Sequence, residues 1–246
     1  MVLIHGFPLH AGQWRPQLDD VPDGWQFIAP DLRGFGPGAS PPRDRDEMTI
    51  DDYASDVEGL LNQLEIDRAF IGGLSMGGYV TFALFRRAPE RFTGMLLADT
   101  RPQADTPEER QGRRGLLELV RKNGVSAIMD RMFPKLLGQT TFEERPGVVR
   151  EVETIIKGGS VEAIEGGIHA LMSRPDSTPD LARISTPALV IVGDEDVITP
   201  VSDGELLHRS IGRSRLVTLP AAGHLSNLET PEAFSRALHD FLTSNL

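Results

Sequence analysis

Cysteine is missing altogether from the 246 residues. That removes both a disulfide framework and thiolate chemistry, and leaves the redox compartment undetermined. Missing too is any stretch near the roughly 18 uninterrupted apolar residues that a membrane span needs. Lysine and arginine are scarce beside the acids, 25 against 36, for a formal net charge of −11. Nucleic acid and anionic membranes are bound through clustered Lys and Arg, so neither is expected as a partner. The apolar opening MVLIHGFPLH lacks a basic leading region and a small-residue cleavage site. It reads as a core strand and not as a signal peptide, which makes a cytoplasmic location the default expectation. No H-E-x-x-H occurs, nor any His and carboxylate cluster at metal spacing, so neither metal nor other cofactor is expected.

What is present is an alternation. Short apolar runs at 2–4, 27–29, 69–71, 95–98, 188–192 and 216–219 are too short for helices and apolar on both faces, as parallel strands covered on both sides should be. Between them, helical periodicity runs over 50–64, 76–88, 201–210 and 231–242. This predicts an α/β fold, a mostly parallel sheet with helices on both faces. The alternation lapses from 101 to 184, where only helical patterns appear, at 108–122, 125–137, 146–157 and 161–172. That insertion is too interrupted by Gly and Pro to hold a core of its own. It is expected to be a helical cap, with 1–100 and 185–246 forming the core.

The chemistry concentrates at Gly72-Gly73-Leu74-Ser75-Met76-Gly77-Gly78, which follows one apolar run and opens a helical pattern. A strand turning sharply into a helix strains the central residue and crowds its neighbours, so small residues are needed two positions to either side. The turn exposes the Ser75 hydroxyl at a helix N-terminus, where developing negative charge is stabilised. Such a nucleophile needs a base, and the base an orienting acid. Of the six histidines, His224 sits in a loop after a strand-like run, on the edge where open α/β sheets place their sites. His208 and His239 fall on amphipathic helices, His169 in the insertion, and His10 in an early loop with no second signal. For the acid, Asp196 follows the run at 188–192 and gives the chain order Ser75, Asp196, His224. Asp194 suits a loop carboxylate, and Asp99, which ends the preceding strand, is the outside alternative. The backbone N–H of Met76 and that of Phe7, in His5-Gly6-Phe7-Pro8, are the expected oxyanion donors. Pro8 has no N–H, and His5 is expected to hold the loop.

The set HGFPLH, DLRGFGPGAS, GLSMGG, GDEDVITP and AGHLSNLETP resembles the α/β-hydrolase superfamily across nearly the whole chain. The likeness is nearest to small carboxylesterases and arylesterases, 3-oxoadipate enol-lactonases and cofactor-free haloperoxidases (perhydrolases). It implies a Ser75–Asp196–His224 triad, Phe7 and Met76 as oxyanion donors, and a helical cap shaping the acyl pocket. Ser75 in place of Asp argues against haloalkane dehalogenases and epoxide hydrolases. Members usually carry two strands before the HGFP-type strand, at which this chain begins, so either the coding start is internal or the sheet is trimmed. Such a loss exposes an edge that invites pairing with a second copy, a homodimer.

The expected activity is hydrolysis of short or medium acyl or aryl esters through an acyl-enzyme, with a small ester or lactone as the binding partner. Lactonase or perhydrolase chemistry at the same triad is the alternative, and a non-catalytic ligand receptor is the reading from another class. Met129, Phe133, Leu137, Ile168, Met172, Val197 and Leu225 are the candidate pocket residues, although the cap positions among them, taken singly, also suit core packing. No clamp for a charged acid stands out, since the cap's arginines suit a surface equally well.

Overall fold

The structure, a computed structural model, describes residues 1–42 and 44–244. Five strands form its sheet: β1 (Val2–Ile4), β2 (Ala69–Leu74), β3 (Phe92–Ala98), β4 (Ala188–Gly193) and β5 (Ser214–Leu219). They lie in the order β1-β2-β3-β4-β5, with every neighbouring pair parallel. β1 to β4 are buried at nearly every residue, which is why their sequences are apolar without alternation. β5 closes the far side of the sheet only half-buried, and accommodates Ser214, Arg215 and Thr218.

The helices are α1 (Arg15–Leu18), α2 (Ile50–Gln63), α3 (Met76–Arg87), α4 (Pro107–Asn123), α5 (Ser126–Arg131), α6 (Phe133–Leu136), α7 (Gln139–Glu144), α8 (Pro146–Lys157), α9 (Val161–Ser173), α10 (Val201–Ser210), α11 (Ser226–Glu229) and α12 (Pro231–Thr243). Helix α2 starts where the Thr49 side chain accepts the Asp52 N–H and the Asp52 carboxylate takes the Thr49 N–H, a reciprocal cap that satisfies two otherwise unpaired donors. It buries Ile50, Tyr53, Ala54, Val57 and Leu61, a single helical stripe. That face packs towards α3, which in turn lies on β1, β2 and β3, while α10 and α12 pack on β4 and β5. None of the helices among the described residues is long and apolar enough to cross a membrane.

Three expectations are corrected. Residues 27–29 form no strand; Ile28 makes an isolated parallel bridge to Val2. The Leu3 N–H donates to the Ile28 carbonyl at 2.8 Å, and the Ile28 N–H to that of Met1 at 2.8 Å. Those bonds occupy the outer side of β1 without extending into a ladder, since Pro30 follows two residues after Ile28 and has no N–H to continue it. The helix expected over 125–137 is two, α5 and α6, because Pro134 has no N–H for the carbonyl one turn back. Helix α7 was not expected; at six residues it is too short for periodicity to register. Between β3 and β4 the described residues contain helices α4 to α9 and a 3-10 turn, and no strand.

Candidate active site

Ser75 stands between the end of β2 and the start of α3 with φ 54° and ψ −113°, a backbone region that L-residues occupy only where the surroundings enforce it. The enforcement is visible. The Ser75 N–H donates to the Ala98 carbonyl at 2.9 Å, and the Ser75 carbonyl accepts the Thr100 hydroxyl at 2.8 Å. A side chain on Gly73 or on Gly77 would strike the Ile4 carbonyl oxygen of β1. The glycines of the motif are therefore required by the approach of β1.

His224 and Asp196 reach Ser75 from the loops after β5 and β4. His224 Nε2 lies 2.8 Å from Ser75 Oγ, and His224 Nδ1 lies 2.8 Å from Asp196 Oδ2. Asp196 is buried, and its Oδ1 accepts the N–H groups of Ile198 at 2.7 Å and Thr199 at 3.0 Å. Its Oδ2 also accepts the Thr199 hydroxyl at 2.7 Å. With acceptor oxygens facing it, Nδ1 must carry the ring proton, which leaves Nε2 free to accept from the serine.

Burial disfavours the charged form of both groups, but in each the partner outweighs it. The charge and hydrogen bond of Asp196 lift His224 above its ordinary 6.5. The charge and hydrogen bond of His224, with the Thr199 donors, hold Asp196 below its ordinary 3.8.

The other acids lie elsewhere. Asp194 is exposed. Asp99 is fully buried behind the site, where it accepts the Gly193 N–H at 2.9 Å and the Ser226 hydroxyl at 2.5 Å. Burial and the neighbouring Asp196 push Asp99 well above the usual carboxylate range. The other histidines named above lie away from Ser75: His10 caps a turn at Gly12, His208 meets Ser214, His239 meets the Asp20 carbonyl, and His169 Nε2 lies 3.4 Å from Asp46.

Two supporting residues escaped the sequence reading. Glu229 is buried and accepts the N–H groups of Gly138 at 2.8 Å, Gly223 at 2.9 Å and Leu225 at 3.1 Å, so it grips the loop on both sides of His224. Nothing in Asn227-Leu228-Glu229-Thr230 marks that acid as buried. Thr199 had a signal, since the Asp-Val-Ile-Thr spacing from Asp196 suits an Asp side chain that caps a following turn.

The loop after β1 is held from several sides. The Gly6 N–H donates to Gln13 Oε1 at 2.9 Å, and the Gly6 carbonyl accepts the Leu9 N–H at 2.9 Å. His5 accepts the Leu32 N–H on Nε2 at 3.0 Å and faces the Gly6 carbonyl with Nδ1 at 3.0 Å. Burial lowers its pKa to about 4, which suits a neutral ring bridging two backbone groups. The Gly6 N–H is thus occupied and Pro8 has none, while Phe7 lines the same chamber as Ser75.

A small chamber of about 50 Å³ surrounds Ser75, lined by Phe7, Tyr79, Met132, Leu136, Leu171, Ile198, His224 and Arg113. None of the seven candidate pocket residues lines it. Phe133, Leu137, Ile168 and Leu225 are buried in the core, Met129 packs against it, and Met172 lines a separate groove between α4 and α9. Val197 lines a wider cavity outside the chamber. The positions three further along, Met132, Leu136 and Leu171, are the ones that face Ser75, as is Ile198, next to Val197. Periodicity locates an apolar stripe but not which of its edges meets a cavity. Arg113 of α4 also reaches the chamber wall, a cation that no sequence signal placed there.

The model of the alpha/beta hydrolase family matches residues 1–237. The chain is 32% identical over 238 residues to 3-oxoadipate enol-lactonase 2 of Acinetobacter baylyi, covering 97% of this chain and 86% of that one. Among solved structures, it is similar to a thermophilic esterase from Thermogutta terrifontis with malate bound, at TM-score 0.94 and 37% identity, covering 99% of this chain and 89% of the other. It is similar also to the enol-lactonase from Burkholderia xenovorans LB400, at TM-score 0.89 and 30% identity, covering 98% and 90%.

Proposed function

The chain belongs to the alpha/beta hydrolase family, and on that premise we propose that it is a serine hydrolase that cleaves carboxylic esters through an acyl-enzyme on Ser75. The observation that carries this reading is the continuous chain from Ser75 Oγ through His224 to Asp196, with both links at 2.8 Å. Nε2 of His224 takes the serine proton as Oγ bonds to the ester carbon. The carbonyl oxygen becomes an oxyanion, met by the N–H groups of Met76 and Phe7. As the tetrahedral adduct collapses, the bond to the leaving oxygen breaks and His224 returns the proton to the alkoxide. Water then adds to the acyl-enzyme, giving its proton to His224 and releasing the acid and Ser75. Asp196 holds the imidazole tautomer throughout.

The chamber of about 50 Å³, walled by apolar side chains of the helical segment, suits a short acyl group. A lactone is the second reading, favoured by the enol-lactonases among the relatives. Both share the acyl-enzyme, which a fluorophosphonate probe tests. One equivalent of label is expected, mapped by mass spectrometry to Ser75. An unlabelled, folded protein would indicate a ligand receptor and overturn the reading.

The pH dependence follows from the raised His224. Only its neutral form can take the serine proton, so kcat/KM is expected to fall tenfold per unit of acidification below a midpoint above 6.5. A pH–rate profile on a neutral ester checks this. A midpoint under 6.5, or a flat profile between about pH 5 and 8, would remove His224 as the base.

A further inference from the structure

The solvent side of the site carries charge that the reaction at Ser75 does not use. Outside the serine chamber, and sharing Arg113, Met132 and Ile198 with it, lies a wider cavity of about 310 Å³. Arg113 from α4, Arg131 from α5 and Lys135 from α6 converge on its wall. The acid on that wall, Glu109, is already engaged with the Thr106 N–H at 2.8 Å and Arg101 at 2.6 Å. Arg131 and Lys135 are exposed, and neither makes an ion pair among the described residues.

Arg113 is held differently. Its Nε and Nη2 both donate to Asp105, whose carboxylate is buried, and Nη1 has no hydrogen-bond partner among the described residues. Asp105 also takes Arg174 at 2.6 Å and Arg101 at 3.4 Å. Three guanidiniums therefore share one buried carboxylate, and Arg113 is fixed in place with charge to spare. In a chain of net charge −11, a cavity wall with this excess of cations focuses positive potential on whatever enters it.

We infer that this vestibule binds a carboxylate on the leaving half of the ester, with Arg113, Arg131 and Lys135 as the specificity-determining residues. The inference rests on the hydrolytic reading of Ser75. Which half goes where follows from the order of events. The acyl group stays bonded to Ser75 until water arrives, so it takes the enclosed chamber. The alcohol or phenol departs to solvent, so it occupies the open cavity beyond. Guanidinium and ammonium groups recognise carboxylate through charge-assisted hydrogen bonds, and an uncharged leaving group forgoes them.

The test compares 4-acetoxybenzoate with its uncharged isostere 4-acetoxybenzamide. Each would pass its acetyl group to Ser75 Oγ, and the phenolate would leave with the proton from His224. The wild type is expected to show a KM for the carboxylate roughly tenfold below that for the amide. In the double variant Arg131→Gln/Lys135→Gln, the carboxylate's KM should rise to within about twofold of the amide's, with the amide's KM and both kcat values unchanged. Both side chains are exposed and make no hydrogen bond or ion pair among the described residues, so loss of folding does not confuse the result. Equal KM values in the wild type, or the same shift for both esters in the variant, would overturn the inference. If neither ester is turned over, the hydrolytic reading fails, and calorimetry on Ser75→Ala still decides the vestibule. Preferential binding of the carboxylate upholds it, and equal or absent binding of the two overturns it.

Discussion

Ser75→Ala is expected to lower kcat for p-nitrophenyl acetate by about a million-fold, some 8 kcal/mol of barrier, while leaving the fold intact. The size follows from the loss of the covalent path. Without Oγ there is no acyl-enzyme, and His224 has no proton to take. What remains is binding and the two oxyanion donors, worth about a thousand- to ten-thousand-fold over water. Stability should hardly change, because the Ser75 side chain makes no cap bond to α3. The bonds that pin the turn all use backbone atoms of residue 75, from the Ala98 carbonyl to the Gly78 N–H and Thr100 hydroxyl. Turnover above about one per cent of wild type, with melting temperature preserved, would place the nucleophile elsewhere.

Asp196→Asn is expected to cost about ten-thousand-fold in kcat, and Asp99→Asn less than about tenfold. The two carboxylates end adjacent strands, but their surroundings assign them different work. Oδ1 of Asp196 accepts two backbone N–H groups, from Ile198 and Thr199, so an asparagine there must place its oxygen on that side. Its NH2 then faces Nδ1 of His224, which has to become an acceptor. The ring proton moves to Nε2, and the base can no longer accept from Ser75.

Asp99 accepts the Gly193 N–H on one oxygen and the Ser226 hydroxyl on the other. An asparagine keeps the first bond and donates to the Ser226 oxygen, giving up only the longer contact at 3.3 Å from the Ser226 N–H to that second oxygen. Because burial and the neighbouring Asp196 already disfavour the charged form of Asp99, a neutral side chain costs less there than at Asp196. Steady-state kinetics on both variants check the contrast. A larger loss at Asp99 than at Asp196 would reverse the assignment of the acid.

Much of the architecture is legible in the residue order because the interactions that set it are local. The strands of a doubly covered sheet must be apolar throughout, so β1 to β4 announce themselves. The turn at Ser75 needs glycine on both sides, so the motif is visible as spacing alone. His224 and Asp196 are legible for a related reason, since each directly follows a strand whose end delivers it to one edge of the sheet. The break between α5 and α6 at Pro134 and the lone bridge at Ile28 are less legible. There, one residue without an N–H decides between continuing an element and ending it.

The sequence by itself determined the class of fold and put Ser75, Asp196 and His224 forward as its candidate triad in chain order. Spacing along a chain encodes which residues sit at strand ends and sharp turns. Only the tertiary structure decided what surrounds the serine. Met132, Leu136 and Leu171 face it in place of their neighbours, Glu229 turns inward to hold the His224 loop, and Arg113 comes to the chamber wall. Each of those outcomes depends on the rotation of a helix, or of one side chain, against elements distant in sequence. A helical repeat shows that a face is apolar or charged, but only packing decides what that face meets.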